Sequence, residues 1–541
     1  MADVVGRIVR AFRSLDYGQW NTGNHASSVR RALDTPRLLM NMMHTDDGQL
    51  WMPPAPDTFV TGVAGTGNLH LIRQTFDPVG TLIVQKGTTV SLYEVSNATL
   101  PYTTADATFV LDDDEKIWTL VYDGALFFGN STQTVKVTGS YTVTDITDPG
   151  IPDGYHSVNY RNRRFVLERV FGTAGGVNNR LHYSDIGDAE TFGGTAFIDI
   201  EAYFEGDSWE GALGSPIALE PYGDFLALFT SQGVVRFTGT DPLTNFTLRP
   251  THSETGAWFR DSVSTLSPGI IFFGGTPRAE WGYYLWNGSG SNLLSEGLNG
   301  YLRAWGESSQ TFDENLSDSV TWRNRYISSL NVGNIDPTIF VYDWMRKVWS
   351  TFNGWTQPTV GLARRGTDRL CVAEADSDIV YYTKSPMFRA TATTPAQFTV
   401  GYEDEDQPSG LVRFIKVRLT VNALATGGTG IELKMVGSVV PLGSTATTIK
   451  TITEDGQWTL EFPLRMRGSA VELEFTITPS AADQEIVVEN LELVQSRKNL
   501  KVTRRFGGFG STTFSEETDQ GGALTIAAIA DQSGTEGDVY A

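Results

Sequence analysis

From about residue 60 to 387 the chain repeats one phrase: a short alternating strand, a Gly- or Asn-bearing turn, and a second strand ending in aromatics. The phrase appears as 80–95 (GTLIVQKGTTVSLYEV), 116–130, 158–170, 222–239, 269–289, 320–330, 339–352 and 364–383. Alternation puts one side of each strand inward and one outward. Turns such as Lys86-Gly87, Asp123-Gly124 and Gln232-Gly233 supply the positive φ that tight hairpins need. The instances recur every 35–50 residues or so, the length of a four-stranded propeller blade. Helical periodicity is nearly absent, which argues against sheets joined by helical crossovers. The expectation is an all-β chain: a β-propeller of six to seven blades over 61–387, without a WD40 or kelch signature.

A Thr- and Ala-rich stretch, 388–400, reads as a linker. After it, 401–498 carries six strand candidates, among them 411–423 (LVRFIKVRLTVNA), 469–478 and 485–496, with short polar turns. That spacing fits a β-sandwich or jelly roll. Residues 1–60 read as an extended N-terminal arm with helical candidates at 1–15 and near Ala26–Leu33, ending in the stiff run Met52-Pro53-Pro54-Ala55-Pro56. In 1–15, Val5, Ile8, Val9, Phe12 and Leu15 share one helical face and Arg7, Arg10 and Arg13 take the other. The arginines interrupt the apolar run, so it is no signal peptide. Residues 499–541 read as an acidic tail. From Gly507 onward it contains no Lys or Arg, and only 524–530 (LTIAAIA) has strand character. Neither end folds by itself, so Val5, Ile8, Val9, Phe12, Leu524, Ile526 and Ile529 are the expected assembly contacts.

The formal net charge of −22 opposes nucleic-acid contact and excludes a sequence-reading DNA-binding protein. The single cysteine, Cys371, sits in the apolar run Leu370–Ala373 and excludes an intrachain disulfide. No stretch approaches the roughly 20 apolar residues of a membrane helix. The six histidines are scattered, and the acidic run Asp112–Glu115 lacks the spaced oxygens of a calcium loop, so no metal or cofactor is expected. No nucleophile elbow or phosphate loop is present. No catalytic residue is assigned, and the chain is expected to be non-enzymatic. Two phrases match each other: Val158-Asn159-Tyr160-Arg161-Asn162-Arg163-Arg164-Phe165 and Val320-Thr321-Trp322-Arg323-Asn324-Arg325-Tyr326. Both read as hairpin tips, and Arg161, Arg163, Arg164, Arg323 and Arg325 are the candidates for DNA or subunit contact.

Tyr183-Ser184-Asp185-Ile186-Gly187-Asp188-Ala189-Glu190-Thr191-Phe192 is similar to the Asp-box of sialidases but departs from its spacing and occurs once. With Asn162-Arg163-Arg164-Phe165-Val166 before it, and with 39–50 (LMNMMHTDDGQL), it resembles the tail nozzle or DNA-stabilisation proteins of short-tailed bacteriophages. Residues 285–303 resemble a further passage of that family, while Met52-Pro53-Pro54 departs from its usual Arg-Pro-Gly. The resemblance spans roughly 30–390. It implies a structural virion protein assembled in the host cytoplasm, a homohexameric ring, and DNA passing without sequence specificity. It also implies docking to portal or adaptor proteins and to tail fibres or tailspikes, without membrane insertion. The alternative is a host receptor- or glycan-binding tail module using Trp281, Tyr283, Tyr284 and Trp286 as sugar platforms, or a propeller glycosidase.

Overall fold

In the computed structural model the repeated phrase becomes a ring of four-stranded antiparallel sheets. The structure describes residues 38–518, apart from stretches between strands, of which the longest are 169–179, 201–213 and 303–316. Among the described residues the ring has seven blades. Blade 1 runs from Leu69–Ile72 to Ala107–Val110, blade 2 from Trp118–Tyr122 to Thr142–Asp145, and blade 3 from His156–Tyr160 to Phe197–Asp199. Blade 4 runs from Pro216–Tyr222 to Thr247–Pro250, blade 5 from Ser264–Leu266 to Ser291–Leu293, and blade 6 from Asp318–Trp322 to Val348–Phe352. Blade 7 takes Pro358–Arg365, Thr367–Glu374 and Ile379–Thr383, and its fourth strand is Asp57–Thr61 from the N-terminal side.

Alternation explains why these sheets stack into a ring. In blade 4, Leu226 and Leu228 pack toward blade 3, while Ala227 and Phe229 pack toward blade 5. A strand sandwiched between two neighbouring sheets is apolar on both sides, as 225–230 (FLALFT) is. Closure uses the same chemistry. Phe59 of the N-terminal strand is buried between Tyr102 of the blade 1 connection, 5.3 Å between ring centroids, and Tyr382 of blade 7, at 5.0 Å. Cys371 is buried in the same cluster, and burial pushes its thiol well above the ordinary value.

The sandwich packs two sheets over one core that includes Phe398, Phe414, Leu433, Phe462, Phe475 and Leu493. One sheet contains Ala396–Glu403, Ala470–Thr478, Ile431–Val440 and Thr445–Ile452; the other contains Glu485–Arg497, Val412–Leu424 and Gly456–Gly468. Clean alternation in 456–468, where Phe462, Leu464 and Met466 point inward, marks a sheet with one solvated face.

Three expectations about the ends are corrected. Residues 38–61 are no free arm. Leu38–Met40 pairs in parallel with Val348–Phe352 of blade 6 and antiparallel with Ala396–Glu403 of the sandwich, joining both into one nine-stranded sheet. Met43–His44 and Leu50–Met52 extend the other sandwich sheet through Glu485–Arg497. Residues 388–400 are no loose linker either, because Phe388, Arg389 and Phe398 are buried there. Nor is 499–506 tail: Leu500–Phe506 is a further sandwich strand and pairs with Glu516–Thr518. Strands of two to five residues are too short to show a period in sequence. The helical candidates at 1–15 and 26–33 and the segment 524–530 lie outside the described residues.

Arg389 fastens this junction. Its Nε donates to Pro53 O at 2.7 Å, Nη1 to Ala392 O at 2.6 Å and Nη2 to Gln484 O at 2.8 Å. Burial lowers its pKa to about 10, so it stays charged at neutral pH. Arg389→Met strips three segments of their shared donor. It is expected to cost about 3 kcal/mol, read as a lower denaturation midpoint of the full-length chain.

Candidate functional site

The first strands of the blades all run toward one face of the ring and enclose an axial cavity of about 330 Å³. Thr119, Val121, Asn159, Glu220 and Ser319 line its wall. Glu220 accepts a 2.6 Å hydrogen bond from Thr265 Oγ1.

At the end where those strands begin, four charges from three blades meet. Lys116 pairs with Asp318, lies 3.2 Å from Asp261 Oδ2, and donates to Ser317 O at 3.0 Å. Arg260 Nη2 reaches Asp261 at 3.2 Å and the carbonyls of Lys116 and Ile117 at 3.0 and 3.1 Å; its Nη1 donates to Tyr155 O at 2.6 Å. Thr359 of blade 7 donates to Asp318. Two cations and two carboxylates balance, which lets Lys116, Arg260 and Asp318 stay buried while Asp261 keeps 29% of its side chain in solvent. The two carboxyl groups differ in environment. Burial raises Asp318 to about 6, with the Lys116 ammonium opposing. Burial acts on Asp261 too, but Arg260 and Lys116 together hold it below the ordinary carboxylate range. Sequence reading missed this cluster, because its members stand at 116, 260, 261 and 318 with no local signature.

The matched phrases of blades 3 and 6 form tight hairpin tips. Arg161 and Asn162 have φ of 51° and 60°, and Arg323 and Asn324 have 47° and 61°. Asparagine tolerates this region better than most residues. Each tip carbonyl is then captured by the next turn of its own blade: Asn162 O by Gly187 N at 2.9 Å, and Asn324 O by Trp344 N at 3.0 Å.

Three of the five arginines are committed inside the chain, which corrects their assignment as DNA or subunit contacts. Arg163 Nη1 donates to Ser184 O at 2.6 Å, and its Nη2 lies 3.4 Å from Asp241. Arg164 is fully buried against Trp118, Phe127 and Phe192. Its backbone N–H donates to Ser184 Oγ at 2.9 Å. Arg325 pairs with Asp343 at 3.2 Å. Arg161 and Arg323 remain exposed. The phrase 183–192 is thus the partner of 162–166. Asp188 Oδ1 accepts from Glu190 N at 2.8 Å, and Glu190 pairs with Lys136 of blade 2. The proposed sugar platform is also corrected: Tyr283, Tyr284 and Trp286 are buried between blades, and half-buried Trp281 packs on Trp258 with ring centroids 3.8 Å apart.

The turns between third and fourth strands lie on the face opposite the ion cluster. Three of them lift an apolar side chain into solvent: Ile186 in blade 3, Leu243 in blade 4 and Met345 in blade 6, at 65, 72 and 67% exposure. Each turn is closed on an aspartate carbonyl, Asp185 O by Asp188 N, Asp241 O by Asn245 N and Asp343 O by Lys347 N.

No protein-family model matches this chain, and no curated protein sequence does. Solved structures that it matches include the Neurospora crassa Pan2 WD40 domain, at 12% identity and a TM-score of 0.36, covering 64% of this chain and 99% of that one. A glycoside hydrolase family 43 arabinoxylan arabinofuranohydrolase from Bacillus subtilis matches at 9% and 0.25, covering 87% and 98%. The enzymatically active domain of bacteriophage CBA120 tailspike protein 4 matches at 12% and 0.14, covering 23% and 15%. Likeness at this level transfers no activity. One expectation is nevertheless corrected. Glycoside hydrolases stand among the matched solved structures, so the expectation of a non-enzymatic chain is withdrawn, and no activity is assigned in its place.

The raised Asp318 gives a signed pH effect. A carboxyl that binds its proton more tightly folded than unfolded makes the fold more stable as pH falls through about 6 toward 4. Asp261, held low, adds stability that is lost only when pH falls below the ordinary carboxylate range. Between pH 7 and 5 the wild type is therefore expected to gain about 1–2 kcal/mol from this site. Asp318→Asn should flatten that gain in paired denaturation curves. Lys116→Met, which leaves both carboxylates without their shared ammonium, should cost about 3–5 kcal/mol at pH 7.

Proposed function

We propose that this chain is a virion protein of a short-tailed bacteriophage tail, a ring-forming subunit that retains and conducts the genome and docks below a portal or adaptor complex. What supports the reading is the interlock of Arg163 and Arg164 with 184–192. The two phrases that carry the family resemblance form a single three-dimensional unit around Ser184. The charge of −22 suits a conduit through which DNA slides without adhering. In this reading the conduit lies between copies of the chain, because the axis of each propeller carries the Lys116–Asp318 cluster. Closed rings of identical subunits need a heterologous contact repeated around the axis.

A second reading, a receptor- or glycan-binding tail module, draws on the axial cavity. Asn159, Glu220 and Thr119 offer amide, carboxylate and hydroxyl groups of the kind that bind sugar hydroxyls.

The solution mass of the purified full-length protein, alone and with portal-complex proteins, tests both. A hexamer, alone or templated by the complex, is the expected outcome. A monomer or trimer that binds or cleaves host polysaccharide overturns it in favour of the second reading. Removing 519–541 is expected to leave the far-ultraviolet spectrum unchanged and to abolish the ring.

A further inference from the structure

The chain has a net charge of −22, yet its topology gathers cations at one end of the sandwich. Register sets Arg413, at the start of Val412–Leu424, against Arg467 on one side and Ser496 on the other. Ser496 pairs in turn with Lys501 of Leu500–Phe506. The stretches brought together, 412–418 (VRFIKVR), 463–468 (PLRMRG) and 500–506 (LKVTRRF), hold eight Lys and Arg and no Asp or Glu. Lys416 and Arg418 are held by Glu461 at 2.6 and 2.7 Å. Arg465 and Arg467 are exposed, with no carboxylate partner among the described residues, and exposed Pro463 shares their side of the strand.

The propeller carries a patch of the opposite sign. Ile186 and Leu243 are exposed at its centre, and Arg163 ties their turns together through Ser184 O and Asp241. Asp241 also accepts Leu243 N at 3.2 Å, so this apolar tip is fixed before anything binds it. Hydrogen bonds and an ion pair extend the patch over blades 2 to 4. Tyr122, next to Asp123, donates to Asn162 O at 2.7 Å, and Arg161 lies 3.4 Å from Asp224. Asp123, Asp185, Asp188 and Asp224 are its exposed carboxylates.

Strand directions point both patches the same way. Leu38–Met40 is parallel to Val348–Phe352, which starts after the Met345 turn and so on the acidic face. Ala396–Glu403 is antiparallel to it on the other side and runs toward that face, whereas Ala470–Thr478 runs away from it. After the turn at 480–484, Glu485–Arg497 heads back. The cationic end therefore points toward the acidic face, about 40 Å from the Arg389 clamp. In a ring of seven, blades 2 and 3 stand across from blade 6, whose sheet continues into the sandwich. Complementary patches on opposite flanks, facing the same way, meet between copies related by a rotation.

We infer that the cationic end of the sandwich docks on the Ile186–Leu243 patch of a second copy, with Arg465 and Arg467 against its acidic rim, and that a ring of copies repeats this contact. The inference rests on the tail reading for closure of the ring; the pairwise contact does not need it. Charge complementarity orients the pair, so association weakens with salt.

The test is charge reversal in the full-length protein, alone and with portal-complex proteins. Arg465→Glu with Arg467→Glu, and separately Asp185→Lys with Asp224→Lys, should each raise the concentration needed for assembly by about tenfold or more. Mixing the two variants should restore assembly, because each then meets an opposite charge on its neighbour. Disulfide trapping reads the contact without a ring. Chains bearing Leu243→Cys, mixed with chains bearing Arg467→Cys, should form one-to-one linked pairs under copper–phenanthroline, with native Cys371 buried. Val110→Cys, exposed in blade 1, should not link in place of Leu243→Cys. Unchanged assembly of both reversed variants, or no more linking at Leu243 than at Val110, overturns the inference whether or not a ring forms. Salt-sensitive linking in a protein that forms no ring upholds the contact and overturns the ring.

Discussion

Everything in this molecule depends on closing a ring of sheets. A blade with two apolar faces is stable only when both are covered, so seven such blades must meet end to end or leave one face in water. Here the last blade is completed by Asp57–Thr61, a strand made more than 300 residues earlier. Phe59 and Val60 then enter the cluster shared by blades 7 and 1. The closing strand stitches by backbone hydrogen bonds, which do not depend on side-chain identity, while Phe59 makes the register matter.

Charge handles what apolar packing cannot. The beginnings of the inner strands converge on a narrow axis, where large apolar side chains of opposed blades would collide. Lys116, Arg260, Asp261 and Asp318 cross it instead with long, directional contacts. Arg163 and Arg164 do similar work between blades 2, 3 and 4, reading carbonyls, hydroxyls and ring faces. Among the described residues, Arg163, Arg164, Arg260 and Arg389 are buried and serve the fold.

The propeller was legible because its signal is local. The apolar run 225–230 and the turns Asp123-Gly124 and Arg161-Asn162 state hairpins directly, and their spacing states blades. The sandwich showed itself through 411–423 and 469–478 for the same reason. What stayed hidden is long-range. Leu38–Met40 has no period of its own and acquires strand geometry from Thr351 and Phe398. Arg389 in a Thr- and Ala-rich stretch resembles a solvated linker residue until five backbone carbonyls surround it. The hairpins of the arginine phrases were found in the right place, but Arg163, Arg164 and Arg325 serve the fold, while Arg161 and Arg323 stay exposed. Sequence marks a hairpin end, but the neighbouring turn that consumes Arg163 lies about 20 residues on, and the aspartate that consumes Arg325 about as far.

The three residues Leu38–Met40 have a mechanical meaning. They are the splice through which the sheet of blade 6 becomes a sheet of the sandwich. Two bodies joined by a splice of hydrogen bonds do not swivel as bodies on a flexible tether do. A load on one passes into the other along the strand direction as shear, and their relative orientation changes only when the splice opens. The pair therefore behaves as a single stiff beam, with the Arg389 clamp beside the splice, and a pull on the sandwich is felt in blade 6.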